Sequence, residues 1–235
     1  MNERYLDIIN TAQNTEVLRP PKNHLATFGS TKIHYYVLTD PIYKGIIDNS
    51  DDTILREGFL TAERPRIITP YYMKNMFEGF EHGDDYSQSI QEAFGTFDPG
   101  ILYRYRNDSM EMTVITTPLD EAFQKINDDL EKENDPYSTI IKGDRRLWDL
   151  SLMIFIYGFT GTSLHRNISD LHSRGLFTVD RSGVPRESRL YIESLFREVK
   201  SGTLDPSVLK KELDAWGVFG EYEDRFLDLF RKKQG

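Results

Sequence analysis

The longest stretch of strongly apolar sequence without a charged residue runs from Leu150 to Leu164, and it limits how this chain can fold. Its 15 residues include four serines and threonines, and an α-helix needs ~20 apolar residues to cross a bilayer. A shorter apolar segment of this kind is typical of a buried core helix. We therefore predict a central helix over Leu147–Leu164 and no membrane-crossing segment.

The charge of the chain excludes some functions and is unevenly spread. The 29 basic and 38 acidic residues give a net charge of −9, which disfavours a protein that mainly coats nucleic acid. Seven acids and two lysines between Thr117 and Asp135 account for −5 of this charge. The chain has no cysteine, so disulfides, thiolate nucleophiles and thiolate-bound metals are excluded.

The two halves of the sequence have different periodicities. Apolar residues alternate along several segments before Gly143, whereas after it they recur mainly at helical spacing. We predict an α+β fold, with an antiparallel sheet and helices in the N-terminal half and a mostly helical C-terminal half. Residues 1–142 and 143–235 then form two regions, either as separate domains or as one continuous domain.

Four segments are predicted to form the sheet. Thr31–Thr39 is rich in β-branched and aromatic residues, and Phe59–Thr69 is a second strand in which Pro65 requires an edge position or a bulge. Alternating residues predict a hairpin of Ile101–Arg106 with Met110–Thr116, turning at Asn107-Asp108 or at Asp108-Ser109.

Proline directly after a threonine or aspartate marks several helix starts, because the first side chain can cap the helix and the ring fits its first turn. Such pairs occur at Thr69-Pro70, Thr117-Pro118, Asp135-Pro136 and Asp205-Pro206. These pairs and the apolar spacing predict helices over Tyr86–Phe94, Pro118–Asn134, Asn167–Ser173, Arg186–Ser201, Pro206–Trp216 and Glu221–Lys233.

Polar side chains at alternate positions of the predicted strands form the leading candidate site. If the strands are neighbours, one sheet face collects an arginine-rich set that suits a phosphate- or carboxylate-bearing ligand, because a guanidinium offers two parallel donors. The predicted function is therefore binding of a small anionic ligand. The candidate ligand-binding residues are His34, Tyr36, Arg64, Arg66, Arg104 and Arg106.

Three other functions stay open. An acid/base hydrolase at the same face would use His34 with Glu63, although Glu63 faces away from Arg64 unless Pro65 forms a bulge. A protein-interaction module would dock a basic partner on the acidic helix Pro118–Asn134. A winged-helix reader of DNA would use the basic segment Arg166–Arg189, whose net charge is only +2, so nucleic-acid binding is not favoured.

The remaining expectations are largely negative. The sequence contains no complete phosphate-binding loop, nucleophile elbow or metal-ligand set, so no cofactor and no metal site are predicted. The polar first residues do not resemble a secretory signal, and a cytoplasmic location is expected. The sequence leaves the oligomeric state open.

Overall fold

The computed structural model describes residues 3–44, 51–76, 92 and 98–231 of the chain. The strands in these ranges are β1 (Glu16–Arg19), β2 (Thr31–Thr39), β3 (Thr53–Ala62), β4 (Arg66–Ile68), β5 (Gly100–Leu102), β6 (Tyr105–Ile115) and β7 (Ser138–Lys142). The helices are α1 (Glu3–Asn14), α2 (Pro70–Met76), α3 (Leu119–Glu133), α4 (Trp148–Ser173), α5 (Arg186–Ser201), α6 (Pro206–Ala215) and α7 (Phe219–Arg231).

The chain divides into two compact units, each built from two separate segments. Unit 1 contains Met1–Arg64 and Tyr103–Ile168, and unit 2 contains Pro65–Leu102 and Ser169–Gly235. The α+β class, with strands first and helices mainly later, is confirmed. The predicted domain boundary near Gly143 stays a prediction.

A five-stranded sheet forms the centre of unit 1, in the order β1-β7-β2-β3-β6. The neighbouring strands run antiparallel, except that β2 and β7 are parallel. Because the parallel pair joins strands that are distant in sequence, the alternation of residues within each strand did not predict it. Strand β2 is the central strand, with β7 bonded on one side and β3 on the other.

Helices cover parts of both faces of this sheet. On the α4 face, Ile33, Tyr35 and Val37 of β2 pack in one cluster with Phe155 and Phe159 of α4. On the α3 face, Tyr36 and Leu38 pack with Ile140 of β7 and Leu130 of α3. The alternation of β2 thus supplies both hydrophobic cores, which explains why nearly all of this strand is buried.

The predicted strand over Thr31–Thr39 is confirmed, but the strand predicted over Phe59–Thr69 is wrong. The structure has β3 before Pro65 and β4 after it, and the two strands belong to different sheets. Proline lacks the N–H that a continuous ladder needs, so the chain leaves the first sheet at this point.

The predicted hairpin is also wrong, because β6 runs without a turn along β3 and β5 pairs with β4. Strand β6 has one extra residue, Asp108, between the partners of Phe59 and Leu60, and a register shift in the ladder accommodates it. The two residues of the predicted turn bond to other strands of the sheet. Asn107 Oδ1 accepts from the Tyr35 hydroxyl at 3.0 Å, and Asp108 Oδ2 accepts from the Thr61 hydroxyl at 2.6 Å.

The central helix extends beyond its prediction. The segments predicted as two helices, with a break near Asn167, form the single helix α4. Asn167 is fully buried, and its amide nitrogen donates to Leu25 O and to Thr27 Oγ1, both at 2.9 Å. Its side chain therefore serves tertiary contacts and does not cap a new helix.

Four further predicted helices are confirmed, whereas the helix start predicted at Asp135-Pro136 is wrong, because this pair lies in a turn that leads into β7. The segments predicted over Pro118–Asn134, Arg186–Ser201, Pro206–Trp216 and Glu221–Lys233 correspond to α3, α5, α6 and α7, with ends that differ by two residues or fewer. The predicted helix over Tyr86–Phe94 lies outside the described residues, apart from Glu92.

Unit 2 packs α2, α5, α6 and α7 around a core that contains the buried Trp216. A charged pair lies within it: Arg66 of β4 donates twice to the Glu212 carboxylate of α6, at 3.1 and 2.6 Å. Glu212 also accepts from the Tyr72 hydroxyl at 3.1 Å and from Trp216 Nε1 at 2.9 Å. Four donated bonds to one carboxylate thus tie β4, α2 and α6 together.

Glu212→Gln should destabilise unit 2 strongly, because it removes the negative charge that accepts both hydrogen bonds of the buried Arg66 guanidinium. We expect a loss of about 3–5 kcal/mol in the free energy of unfolding, measured by urea denaturation. The matched control is Asp228→Asn, which removes an exposed pair with Arg231 and should cost about 0–1 kcal/mol. Similar losses in the two variants would contradict a stabilising role for the Arg66–Glu212 pair.

Candidate functional site

The candidate site lies on the α3 face of unit 1, where polar side chains of β2 and β3 meet. In the antiparallel register, His34 is opposite Phe59 and Tyr36 is opposite Glu57. Directly opposed residues of antiparallel strands point to the same face, so these four side chains form one cluster. Leu38 continues the same face into the core beside α3.

A chain of hydrogen bonds links three of these residues. His34 Nε2 is 2.8 Å from Glu57 Oε1, and the Tyr36 hydroxyl is 3.2 Å from His34 Nδ1. A neutral imidazole has one donor and one acceptor nitrogen. With the hydrogen on Nε2, the ring donates to the Glu57 carboxylate and accepts from the phenol, and every group in the chain is satisfied.

Exposure increases along this chain from Tyr36 to Glu57. Tyr36 is 8% exposed, the His34 side chain is 15% exposed and the Glu57 side chain is 44% exposed. The His34 ring also stacks on Phe59, with ring centroids 4.3 Å apart. The imidazole is therefore fixed by packing and by hydrogen bonds, while the carboxylate that it holds is accessible to small molecules.

The surroundings keep the Tyr36 hydroxyl protonated. Burial raises the pKa of Tyr36 well above its usual range, and the negative charge of Glu57 raises it further. Glu133 and Asp135 act in the same direction. The Tyr36 hydroxyl therefore keeps its proton near neutral pH, and it donates to His34 Nδ1 when that nitrogen carries no hydrogen.

A second carboxylate lies beside the first. Glu111 of β6 is directly opposite Glu57 in the β3–β6 register, a position that brings the two Cβ atoms within about 4.5–5.5 Å. Like charges in this position destabilise a sheet, so the pair is more typical of a functional site than of a structural one. Neither glutamate was among the predicted site residues, because their position opposite each other depends on the order and register of the strands.

A lysine lies next to the cluster. Lys32 of β2 places its Nζ 3.9 Å from the centroid of the Phe59 ring. Lys32 is exposed, and it lies opposite Thr61 on the same face as His34. Its backbone position is two rows from Glu57, with the His34–Phe59 row between them, and its positive charge lies over that intervening row.

The six residues predicted from sequence are not brought together as one site. His34 and Tyr36 are in contact, but Arg66 belongs to unit 2 and is paired with Glu212. Arg106 is exposed and pairs with Asp108 at 2.6 Å. The contact between His34 and Tyr36 thus joins two of the six residues, and the ligand-binding role of the set stays a prediction.

Arg64 lies just after the last residue of β3, and Arg104 lies just before the first residue of β6. The amide of Glu63 donates to Arg104 O at 2.9 Å, and Arg104 is exposed.

Glu63 is four residues beyond Phe59, or roughly 13 Å along an extended strand. The carboxylate that contacts His34 is thus Glu57 and not the Glu63 that the hydrolase hypothesis named.

Two further sequence hypotheses stay predictions. On the acidic helix α3, Glu131 bonds to Arg19 and Lys22, and Asp129 pairs with Lys132. In the basic segment, Arg189 is engaged by Asp180 and Glu221 at 2.7 and 2.8 Å. Docking of a basic partner and binding of DNA are both untested by these contacts.

The described ranges contain neither a metal-ligand cluster nor a helix that could span a membrane. No group of three histidine, cysteine or acidic side chains there is arranged to hold a metal ion. Among the helices of the same ranges, none is long and apolar enough to cross a membrane. Comparison with known proteins finds no matching family model, curated protein or solved structure.

Tyr36→Phe should change how stability depends on alkaline pH. The folded pKa of Tyr36 is raised above the unfolded value of about 10, so its contribution is complete below pH ~10 and is lost as the pH rises further. At pH 8 the variant should be less stable by about 0.5–1.5 kcal/mol, through loss of one hydrogen bond.

Above pH ~10 this difference should shrink by up to about 1.4 kcal/mol per pH unit, because phenylalanine cannot ionise. The measurement is urea unfolding of both proteins from pH 8 to pH 11. A difference that stays constant over this interval would contradict the raised pKa.

Proposed function

We propose that unit 1 carries an acid–base site that hydrolyses a small ester-type substrate, with Glu57 as the residue that contacts the reacting water. The observation that supports this proposal is the hydrogen-bonded chain from an exposed carboxylate, through one imidazole, to a buried phenol. A carboxylate positioned in this way is a suitable general base.

In the proposed reaction, the Glu57 carboxylate accepts a proton from water while the water oxygen bonds to the substrate carbonyl. The bond to the alkoxide leaving group then breaks, and the proton passes to the departing oxygen. Glu111, opposite Glu57, is available to relay this proton. His34 and Tyr36 are positioning residues, because they hold the orientation of Glu57 and need not touch the substrate.

The lysine beside the cluster bears on the substrate class. The charge of Lys32, which lies over Phe59 in the row next to Glu57, favours substrates that carry an anionic group in addition to the ester. This combines the anionic-ligand and hydrolase hypotheses on one sheet face. The cytoplasmic location expected from the sequence belongs to the same proposal.

Glu57→Gln should reduce ester hydrolysis by about 10²–10⁴-fold, the usual contribution of a general base. The test measures multiple-turnover hydrolysis of p-nitrophenyl acetate and of a p-nitrophenyl ester with a carboxylate in its acyl chain. His34→Asn should lower kcat with little change in KM. The matched control is His24→Asn, since His24 is an exposed histidine of the same unit.

Equal rates for the wild-type protein and Glu57→Gln would contradict the proposed base. Equal loss in His24→Asn would show that the activity belongs to surface histidines in general. A preference for the carboxylate-bearing ester that disappears in Lys32→Ala would support the assigned role of Lys32.

A second candidate function is binding of a small anion at Arg64 and Arg104. The observation that favours it is the backbone hydrogen bond from Glu63 N to Arg104 O, which keeps the backbones of Arg64 and Arg104 near the same end of β3. This site would retain the ligand class predicted from sequence with fewer residues. It would require no proton transfer.

Phosphate or citrate should raise the melting temperature of the wild-type protein if this site binds them, by mass action. Arg104→Ala should abolish the shift, whereas Arg145→Ala, at another exposed arginine of unit 1, should keep it. The comparison is made against sodium chloride of equal ionic strength. Equal shifts in all three proteins would contradict a specific site.

A further inference from the structure

Strand β6 is an edge of the five-stranded sheet and is long for an edge strand. It has 11 residues and pairs on one side with β3. Within residues 3–44, 51–76, 92 and 98–231, no strand pairs with its other side. An edge of this kind presents N–H and C=O groups that can add another strand.

The middle of β6 also exposes apolar side chains at alternate positions. Met110 is 39% exposed, Met112 is 63% exposed and Val114 is 51% exposed. All three lie on the α4 face, because their partners in β3 are Gly58, Arg56 and Ile54. Edge strands are usually protected by charges, prolines or short length, but residues 109–115 contain a single charge, Glu111.

We propose that β6 pairs with β6 of a second copy of this chain, antiparallel and with the two-fold axis at Met112. Met112 then lies opposite Met112 of the second copy, and Met110 lies opposite Val114. On the other face, Glu111 lies opposite Thr113. The three exposed apolar side chains of each copy are thereby covered by the same three of the other, as an isologous contact requires.

Neighbouring registers fit less well. An axis at Glu111 places two glutamates directly opposite each other, which is destabilising. An axis at Met110 places the apolar Met112 opposite Asp108. The shift in the β3–β6 ladder also interrupts regular pairing between Ser109 and Asn107. An axis at Thr113 places Glu111 opposite the apolar Ile115 and Met110 opposite Thr116, beyond the end of β6. Charge and apolar matching therefore favour the axis at Met112.

The wild-type protein should be dimeric by light scattering after size-exclusion chromatography, at loading concentrations of about 100 µM, where a micromolar Kd leaves the dimer dominant. Met112→Lys and Met112→Glu should each be monomeric, because each places like charges at the axis. An equimolar mixture of the two should dimerise again. The matched control, Met153→Lys at a 56% exposed methionine of α4, should remain dimeric.

A cysteine at the axis gives a second readout, because the chain has no cysteine of its own. Met112→Cys should form a covalent dimer on oxidation with copper–phenanthroline in air, and Met153→Cys should not. The proposal is overturned if the wild-type protein is monomeric at all concentrations, as it would be if β6 accepts a strand from another protein. It is also overturned if Met112→Lys remains dimeric or the oppositely charged variants do not associate.

Discussion

The register between β2 and β3 is the constraint on which unit 1 depends. Nine successive residue pairs join these strands, and a slip by one residue would turn every side chain of one strand to the other face. Such a slip would remove Val37 from the core beside α4 and Tyr36 from the core beside α3. The apolar residues of β2 thus fix the register, and the register in turn sets Glu57 opposite Tyr36.

The candidate site is therefore a consequence of core packing. The hydrophobic residues of β2 alternate between two cores, and His34 occupies a position of the same alternation on the α3 face, where its side chain is 15% exposed. There it stacks on Phe59 and bonds to Glu57, while the more deeply buried Tyr36 holds its other nitrogen. Proton-transfer chemistry needs groups held in this way by their surroundings.

The extent of prediction from sequence follows from how local each signal is. The helix α3 and the strand β2 were predictable, because apolar spacing and capping residues act within a few residues of one another. The hairpin was mispredicted, because Asn and Asp are common turn residues. In the folded chain Asn107 and Asp108 instead accept hydrogen bonds from Tyr35 and Thr61, which are distant in sequence. His34 and Tyr36 were found from alternation within one strand, whereas Glu57 and Glu111 required the order of three strands.

The protonation state of the His34 ring tests the account most directly, because the Glu57–His34–Tyr36 chain requires the hydrogen of the neutral ring on Nε2. Nitrogen-15 NMR of the histidine side chains distinguishes the two tautomers. We predict that neutral His34 carries its hydrogen on Nε2 alone, and that Tyr36→Phe introduces the other tautomer. A neutral ring with its hydrogen on Nδ1, or a tautomer mixture unchanged by Tyr36→Phe, would contradict the hydrogen-bonded chain.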